Sequence, residues 1–222
     1  MIRKVSESLI LVGVGHILPK SLEDVKRTIT GEKPDVVALE LCPARYAALK
    51  TGLGKGGSPG KDLMGWIIYL AQLRFSRETG VVPGEEMLTA AALAEKIGSA
   101  IELIDVPIDL TMRRLSTRVK IWERIRLVPQ LILSLLPLGR TDLSRLTEER
   151  VVNELLGELK RFSAGMYEVL IEERNIHMAS RLALLLSQGK KVVAVVGAAH
   201  VTGIEKILKS NGGWSLRMEY RI

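Results

Sequence analysis

The residues of this sequence best suited to chemistry stand at the ends of two similar motifs. Each motif is a run of small and β-branched apolar residues that closes with Gly-x-x-His. Leu9–His16 reads LILVGVGH, and Lys190–His200 reads KKVVAVVGAAH. The chain has three histidines, and two of them end these motifs. Because imidazole binds metals and exchanges protons near neutral pH, His16 and His200 are candidates for a functional site.

The first predicted strand, Leu9–Val14, and the strand predicted before His200 would bring both histidines to one edge of a sheet. A short apolar run bounded by glycine is typical of a buried strand in a parallel sheet. Open α/β sheets bind ligands in the crevice outside the carboxyl ends of their strands. A histidine after a strand is also commonly a loop residue that bonds to backbone groups. The repetition of the motif is what favours a functional site.

Acidic residues follow two further predicted strands. Val36–Leu39 is followed by Glu40, and Ile101–Ile104 is followed by Asp105. Since the carboxyl ends of parallel strands share one edge of a sheet, we expect Glu40 to lie near the two histidines. Asp105 either belongs to the same site or only caps a turn.

Two histidines and a carboxylate can hold a divalent metal, whose bound water is then activated for attack on a carbonyl. The predicted ligands are His16, Glu40 and His200, and Mn²⁺, Co²⁺ and Zn²⁺ are the candidate metals. Cys42 is a weaker candidate nucleophile, because a lone cysteine near a strand end is usually a small buried hydrophobe. The glycine-rich segment 52–60 fails the Walker phosphate-binding pattern. We therefore expect no nucleotide or organic cofactor.

The rest of the chain predicts helices around these strands. They are expected at about 21–30, 62–77, 83–96, 110–126, 147–162 and 164–186, with a last helix opening at Gly203 before an edge strand at Trp214–Ile222. This order favours an α/β fold with a mainly parallel central sheet flanked by helices. We expect one domain over 1–222 with a helical insertion at about 110–162. In the long helix, Glu173 and His177 are four residues apart and share a face, as on many solvated helices.

Composition limits the classes of partner. The 222 residues are 47% hydrophobic and carry a net charge of +7, but only 4% are aromatic. Stacking platforms for bases need repeated aromatic residues, so no nucleic acid is expected. Six basic residues crowd one predicted helix, which is either a solvated face or a patch for a membrane surface or acidic partner: Arg113, Arg114, Arg118, Lys120, Arg124 and Arg126.

The apolar segment 127–138 is too short to span a bilayer, and it is a reasonable contact for a homodimer. The start of the chain leads into a strand without the apolar core of a signal peptide. A cytoplasmic location, or one peripheral to a membrane, is therefore the expectation.

Ordered motifs across residues 9–208 resemble the TraB/PrgY, or pheromone-shutdown, family. They are LVGVGHILPKSLEDVKRTI, PDVVALELCPARYAAL, PGEEM, IELID with Thr111 downstream, EERNIHMA and VVAVVGAAHVTGI. Val106 departs from that family, which often has arginine after the aspartate of the third strand. Many members also carry a membrane-spanning C-terminal region. This chain is accordingly expected to be a short member or a soluble piece.

The resemblance implies a superfamily that includes the Tiki metalloproteases and the ChaN-like and erythromycin-esterase-like proteins. The site residues that it implies are His16, Glu40, Arg45, Glu173, Arg174, Asn175 and His200. The expected function is a metal-dependent hydrolase, with a peptide as the preferred substrate or another small molecule as an alternative. A protein that binds a peptide signal without catalysis, and a membrane-associated scaffold, remain open as alternatives.

Overall fold

A five-stranded sheet lies at the centre of the described part of the chain. The structure is a computed structural model, and it describes residues 1–15, 19–51, 84–120, 123 and 148–210. The strands, numbered along the chain, are β1 (Ile2–Ser6), β2 (Leu9–Val14), β3 (Val36–Leu39), β4 (Ala100–Leu103) and β5 (Val192–Gly197). Their order across the sheet is β1-β2-β5-β3-β4.

The sheet is parallel except at one edge. β5 pairs in parallel with both β2 and β3, and β3 pairs in parallel with β4, while β1 joins β2 antiparallel. The register sets Val14 of β2 beside Gly197 of β5, and Leu39 of β3 beside Val195. The carboxyl ends of β2, β3, β4 and β5 therefore share one edge. This confirms the predicted mainly parallel sheet, whereas the antiparallel β1 was not predicted.

Helices cover both faces of the sheet. They are α1 (Pro19–Glu32), α2 (Pro43–Lys50), α3 (Glu85–Ile97), α4 (Ile108–Arg118), α5 (Glu149–Phe162), α6 (Ala164–Tyr167), α7 (Glu173–Ser187) and α8 (Ala198–Ser210). Glu168–Glu172 forms a π-helical turn between α6 and α7. No helix in these described segments has the length and apolar character needed to cross a membrane.

The strands build two core layers because alternate side chains point to opposite faces of a sheet. On one face, Leu11 and Ala194 pack in a cluster with Met178 and Leu182 of α7. On the other face, strand residues such as Val12 form a cluster with α1 and α3. Gly13 allows α8 to approach β2, since a Cβ atom there would lie 2.7 Å from Val201 Cγ2.

Two predicted helices differ from the structure in ways that affect the site. The helix expected to open at Gly203 begins at Ala198, directly after β5, so His200 lies in its first turn rather than in a loop. The helix expected to run unbroken over 164–186 contains the π-helical turn. A π-helical turn rotates the chain less per residue than an α-helix does. The residues before α7 therefore face other directions than one regular helix over 164–186 would give them.

Several predicted features lie outside the described residues. They are the glycine-rich segment 52–60, the helix at 62–77, the apolar segment 127–138 and the edge strand at Trp214–Ile222. Within 110–162, the described residues belong to α4 and α5, except for a few residues next to these helices. The single domain over 1–222 and the helical insertion stay predictions.

Candidate functional site

Glu40 is the first residue after β3, and its carboxylate joins three structural elements. The side chain is buried among the ends of the strands, with the whole residue 5% exposed. Its Oε2 accepts a 2.5 Å hydrogen bond from the backbone N–H of Gly197 at the end of β5. Its Oε1 accepts a hydrogen bond from Arg174 Nη2 on α7. The same oxygen lies 3.4 Å from Nε2 of His200 on α8.

Arg174 bridges two buried carboxylates. Its Nε donates to Asp105 Oδ1 at 2.9 Å and its Nη2 donates to Asp105 Oδ2 at 3.0 Å, while Nη2 also binds Glu40. Nη1 donates to the carbonyl of Leu170 in the π-helical turn. Burial by itself lowers the pKa of Arg174, but the charges of Glu40 and Asp105 outweigh burial and raise that pKa above its ordinary value. The guanidinium group is therefore a permanent cation that fixes the position of both acids.

Asp105 follows β4 and belongs to this cluster. In addition to the two bonds from Arg174, its Oδ1 accepts the N–H of Val106 at 2.8 Å. Its Oδ2 also accepts from Nη1 of Arg45, on α2, at 3.2 Å. The Arg45 side chain is 40% exposed, against 4% for Asp105. Asp105 thus anchors a cation that still reaches solvent.

His200 is held by an amide from the neighbouring helix. Its Nδ1 lies 2.7 Å from Oδ1 of Asn175, and both residues are at least nine-tenths buried. An amide oxygen only accepts hydrogen bonds, so in this arrangement Nδ1 carries the proton. In the neutral ring, Nε2 then presents a lone pair toward the carboxylate of Glu40.

Gly203 is a further residue of the site that the sequence reasoning did not identify. It lies one helical turn after His200 on α8, and a Cβ atom there would overlap Nδ2 of Asn175 and lie 2.9 Å from its Cγ. The spacing of three residues from His200 is a signal that both positions share a helix face. That signal was hidden because the helix was expected to begin at Gly203 itself.

Other candidates from the sequence lie beside this cluster and make other contacts. Glu173 pairs with Arg114 of α4 at 3.7 Å near the surface. His177 is half-buried one turn further along α7, where burial lowers its pKa, Asp105 opposes that shift and Arg181 adds to it. Cys42 is buried at the N-terminal end of α2. His16 lies outside the described residues, although the chain is described as far as Gly15, whose N–H donates to Ser21 Oγ at 3.2 Å.

The site supplies two of the three predicted metal donors within the described residues. A tetrahedron with ligand bonds of about 2.1 Å has an edge of about 3.4 Å, and this matches the 3.4 Å between His200 Nε2 and Glu40 Oε1. The bond from His200 Nδ1 to an amide oxygen also matches the support that metal-binding histidines usually have. Across the described segments, no group of three His, Cys, Asp or Glu side chains is arranged to hold a metal. The donor chemistry therefore fits a metal once a third ligand joins.

Comparison with known proteins places the chain among related sequences. The profile of the TraB/PrgY/gumN family matches residues 1–212. An uncharacterised protein of Methanocaldococcus jannaschii is 34% identical over 215 residues, which cover 90% of this chain and 53% of that protein. The TraB domain-containing protein of Homo sapiens is 26% identical over 236 residues, covering 88% of this chain and 61% of that protein. This chain thus spans only 53% to 61% of the length of these curated relatives.

A solved structure aligns with most of this chain. It is titled "Cofacial heme binding to ChaN of Campylobacter jejuni" and aligns with a TM-score of 0.39 at 12% sequence identity. The alignment covers 90% of this chain and 78% of that chain.

Proposed function

This chain belongs to the TraB/PrgY/gumN family, and from that starting point we propose that it is a metal-dependent hydrolase that acts on peptides. The observation that carries the proposal is the pair formed by His200 and Glu40. A buried imidazole Nε2 and a buried carboxylate oxygen face each other at 3.4 Å, with the imidazole supported from behind by Asn175. Two electron-pair donors in this position repel each other unless a proton or a metal cation lies between them.

The proposed ligands are His200, Glu40 and His16, with Mn²⁺, Co²⁺ or Zn²⁺ as the metal. When bound, such a metal lowers the pKa of a coordinated water and polarises a carbonyl. The chain's own contribution is orientation. Asn175 holds the imidazole ring, while Gly197 N–H and Arg174 hold the two oxygens of Glu40.

Arg45 is the proposed contact for the substrate. Its guanidinium is anchored on Asp105 by one hydrogen bond, and its side chain is 40% exposed. It is therefore the cation of this cluster best placed to meet an incoming group. A guanidinium can stabilise the oxyanion that develops when a peptide carbonyl is attacked.

A binding protein without catalysis is the second candidate. The observation that favours it is charge balance, because the carboxylates of Glu40 and Asp105 are matched by the guanidinium groups of Arg174 and Arg45. A buried ion-pair set that is already balanced can exist without a metal. In that case the same residues would bind a peptide and leave it intact.

Association with a membrane surface stays a prediction. Of the six basic residues behind it, Arg114 and Arg118 pair with Glu173 and Glu168, while Arg113 and Lys120 are exposed. Arg124 and Arg126 lie outside the described residues. Homodimer formation stays a prediction, because the apolar segment 127–138 lies outside the described residues.

Elemental analysis of untagged protein tests the metal directly. We expect near-stoichiometric metal in the natural sequence and in His177→Gln, a control histidine on α7 outside the cluster. We expect loss of the metal in His200→Gln and His16→Gln, with circular dichroism confirming that each variant folds. A natural protein that is metal-free and shows no rise in melting temperature with added Mn²⁺, Co²⁺ or Zn²⁺ contradicts the proposal.

Peptide turnover then separates the two candidate functions. A defined peptide mixture is incubated with the metal-loaded protein and analysed by mass spectrometry. A hydrolase gives cleavage that stops with chelator and in Glu40→Gln, while Glu173→Gln, a surface carboxylate on α7, remains active. Retention of intact peptides without cleavage favours the binding protein instead.

A further inference from the structure

The contact between α7 and α8 beside His200 has a consequence beyond packing. His200 and Gly203 are one turn apart on α8, so they share the helix face that meets Asn175 of α7. The amide of Asn175 is thereby enclosed between an imidazole and a bare helix backbone. Only the missing side chain at position 203 leaves room for it.

We infer that Gly203 is a positioning residue, which acts through Asn175 to hold the His200 ring with Nδ1 on the amide and Nε2 directed at Glu40. The use of Nε2 as a metal ligand rests on the proposed function. The orientation of the His200 ring does not, because it follows from the contacts with Asn175 and Glu40.

The steric argument is specific to the amide end of Asn175. A methyl group at position 203 would overlap Nδ2 and approach Cγ to 2.9 Å. The Asn175 side chain is short and the residue is 5% exposed, so its amide has little space into which it can move. Displacing the amide also breaks the 2.7 Å bond to His200 Nδ1. Gly203→Ala therefore removes the support of the imidazole without touching His200.

Loss of that support frees the imidazole ring to leave its present orientation. The amide of Asn175 no longer holds Nδ1, while Glu40 Oε1, 3.4 Å from Nε2, still contacts the other side of the ring. The expected result of Gly203→Ala is thus loss of the hydrogen bond at Nδ1.

Nitrogen NMR of the ¹⁵N-histidine-labelled protein measures this directly. The chain has three histidines, so His177→Gln and His16→Gln assign the remaining pair of ring nitrogens to His200. We expect metal-free natural protein at fixed pH to show a protonated Nδ1 whose hydrogen is protected from exchange by its bond to Asn175. Gly203→Ala should lose that protection, whereas Gly157→Ala, where a Cβ atom meets nothing within 4 Å, should keep it.

Variants at Asn175 show whether the glycine acts through the amide. Asn175→Asp keeps an acceptor and should retain the Nδ1 proton, while Asn175→Leu should lose it. Asn175→Ala removes the atoms that clash with a methyl group at position 203. The stability cost of Gly203→Ala, measured by urea unfolding, should therefore largely vanish in the Asn175→Ala background, as a double-mutant cycle detects.

Metal affinity provides a second readout. Loss of a hydrogen-bond partner behind a metal-binding histidine typically costs about 10- to 100-fold in affinity, and we expect a Co²⁺ affinity loss of this order in Gly203→Ala. A natural protein that binds no Co²⁺ but shows the hydrogen-bonded Nδ1 would refute the proposed function and leave this inference standing.

The inference is overturned by any of three results. One is natural protein in which Nδ1 of His200 carries no hydrogen-bonded proton. Another is an unchanged nitrogen pattern in Gly203→Ala. The last is an equal stability cost of Gly203→Ala with and without the Asn175 side chain, which would mean that the glycine serves some other contact.

Discussion

Glu173 and Arg174 are neighbours in sequence, yet their ion pairs belong to different environments. Arg174 contacts Glu40 and Asp105 with side chains that are 15%, 6% and 4% exposed. Glu173 contacts Arg114 at 3.7 Å, with side chains that are 26% and 38% exposed. One pair set lies at the carboxyl ends of the strands, and the other links α7 to α4 near solvent.

The difference lies in what happens when one partner is removed. A carboxylate near the surface regains water when its partner is lost, so a surface pair contributes little to stability. A carboxylate at the strand ends cannot do so and remains as an uncompensated buried charge. The strand-end cluster is thus costly to disturb, and the surface pairs should tolerate substitution.

The largest effect is expected for Arg174→Met, which removes the cation and retains side-chain length. It removes the guanidinium shared by two buried carboxylates, although Asp105 keeps its bond to the partly exposed Arg45. The free energy of unfolding should fall by about 3–5 kcal/mol. Urea unfolding measures the change. Arg181→Met on the same helix is the matched control, because Arg181 pairs with Glu102 at 43% and 36% exposure. Equal losses in the two variants would remove the distinction between the two environments.

An intermediate effect is expected for Arg45→Gln. It removes one hydrogen bond from Asp105, but Arg174 still balances that carboxylate. The expected loss is about 1 kcal/mol in the free energy of unfolding. If the hydrolase proposal holds, the substrate affinity or turnover should fall far more than stability does. A loss of unfolding free energy as large as that of Arg174→Met would show that Arg45 contributes as much to stability as Arg174 does.

A smaller effect is expected for Glu173→Gln. The pair with Arg114 is long and partly exposed, so its contribution should be below about 1 kcal/mol and should weaken further in high salt. Urea unfolding at low and high salt tests both statements. A salt-independent loss of several kcal/mol would place Glu173 with the buried cluster instead.

The smallest effect is expected from His177 and concerns pH. Burial lowers the pKa of this half-buried histidine in the folded protein, so the unfolded chain takes up its proton first as pH falls. Its contribution to stability is complete above the pKa of the unfolded state and is lost as pH falls through the lower folded value. His177→Gln should flatten the slope of stability against pH in that window. An unchanged slope would contradict the assigned shift.

The parallel strands were predictable because burial on both faces selects an unbroken apolar run. β2 and β3 match the expected Leu9–Val14 and Val36–Leu39 residue for residue. The position of Glu40 at a strand end followed from the same pattern. β1 was missed because an edge strand with exposed residues lacks that apolar run.

The helix contribution to the site was harder to derive from spacing alone. The period of a helix shows which residues share a face, but not which polar face meets the site. It grouped Glu173 with His177, whereas Arg174 and Asn175 are the residues that reach the strand ends. The start of α8 was missed because the chain passes from Gly197 into Ala198 without a loop.

The π-helical turn at Glu168–Glu172 gives this segment a tolerance to a change of length. A regular α-helix turns by about 100° per residue, and a π-helical turn rotates less per residue because its hydrogen bonds join residues five apart instead of four. A single deletion within the turn would therefore convert it to regular α-helix and leave α6 facing nearly the same way relative to α7. The contact of Gly165 with the backbone of Arg118, where a Cβ atom would lie 2.5 Å from the carbonyl oxygen, would then survive. The small residue at position 165 is thus a stricter requirement than the number of residues in the turn.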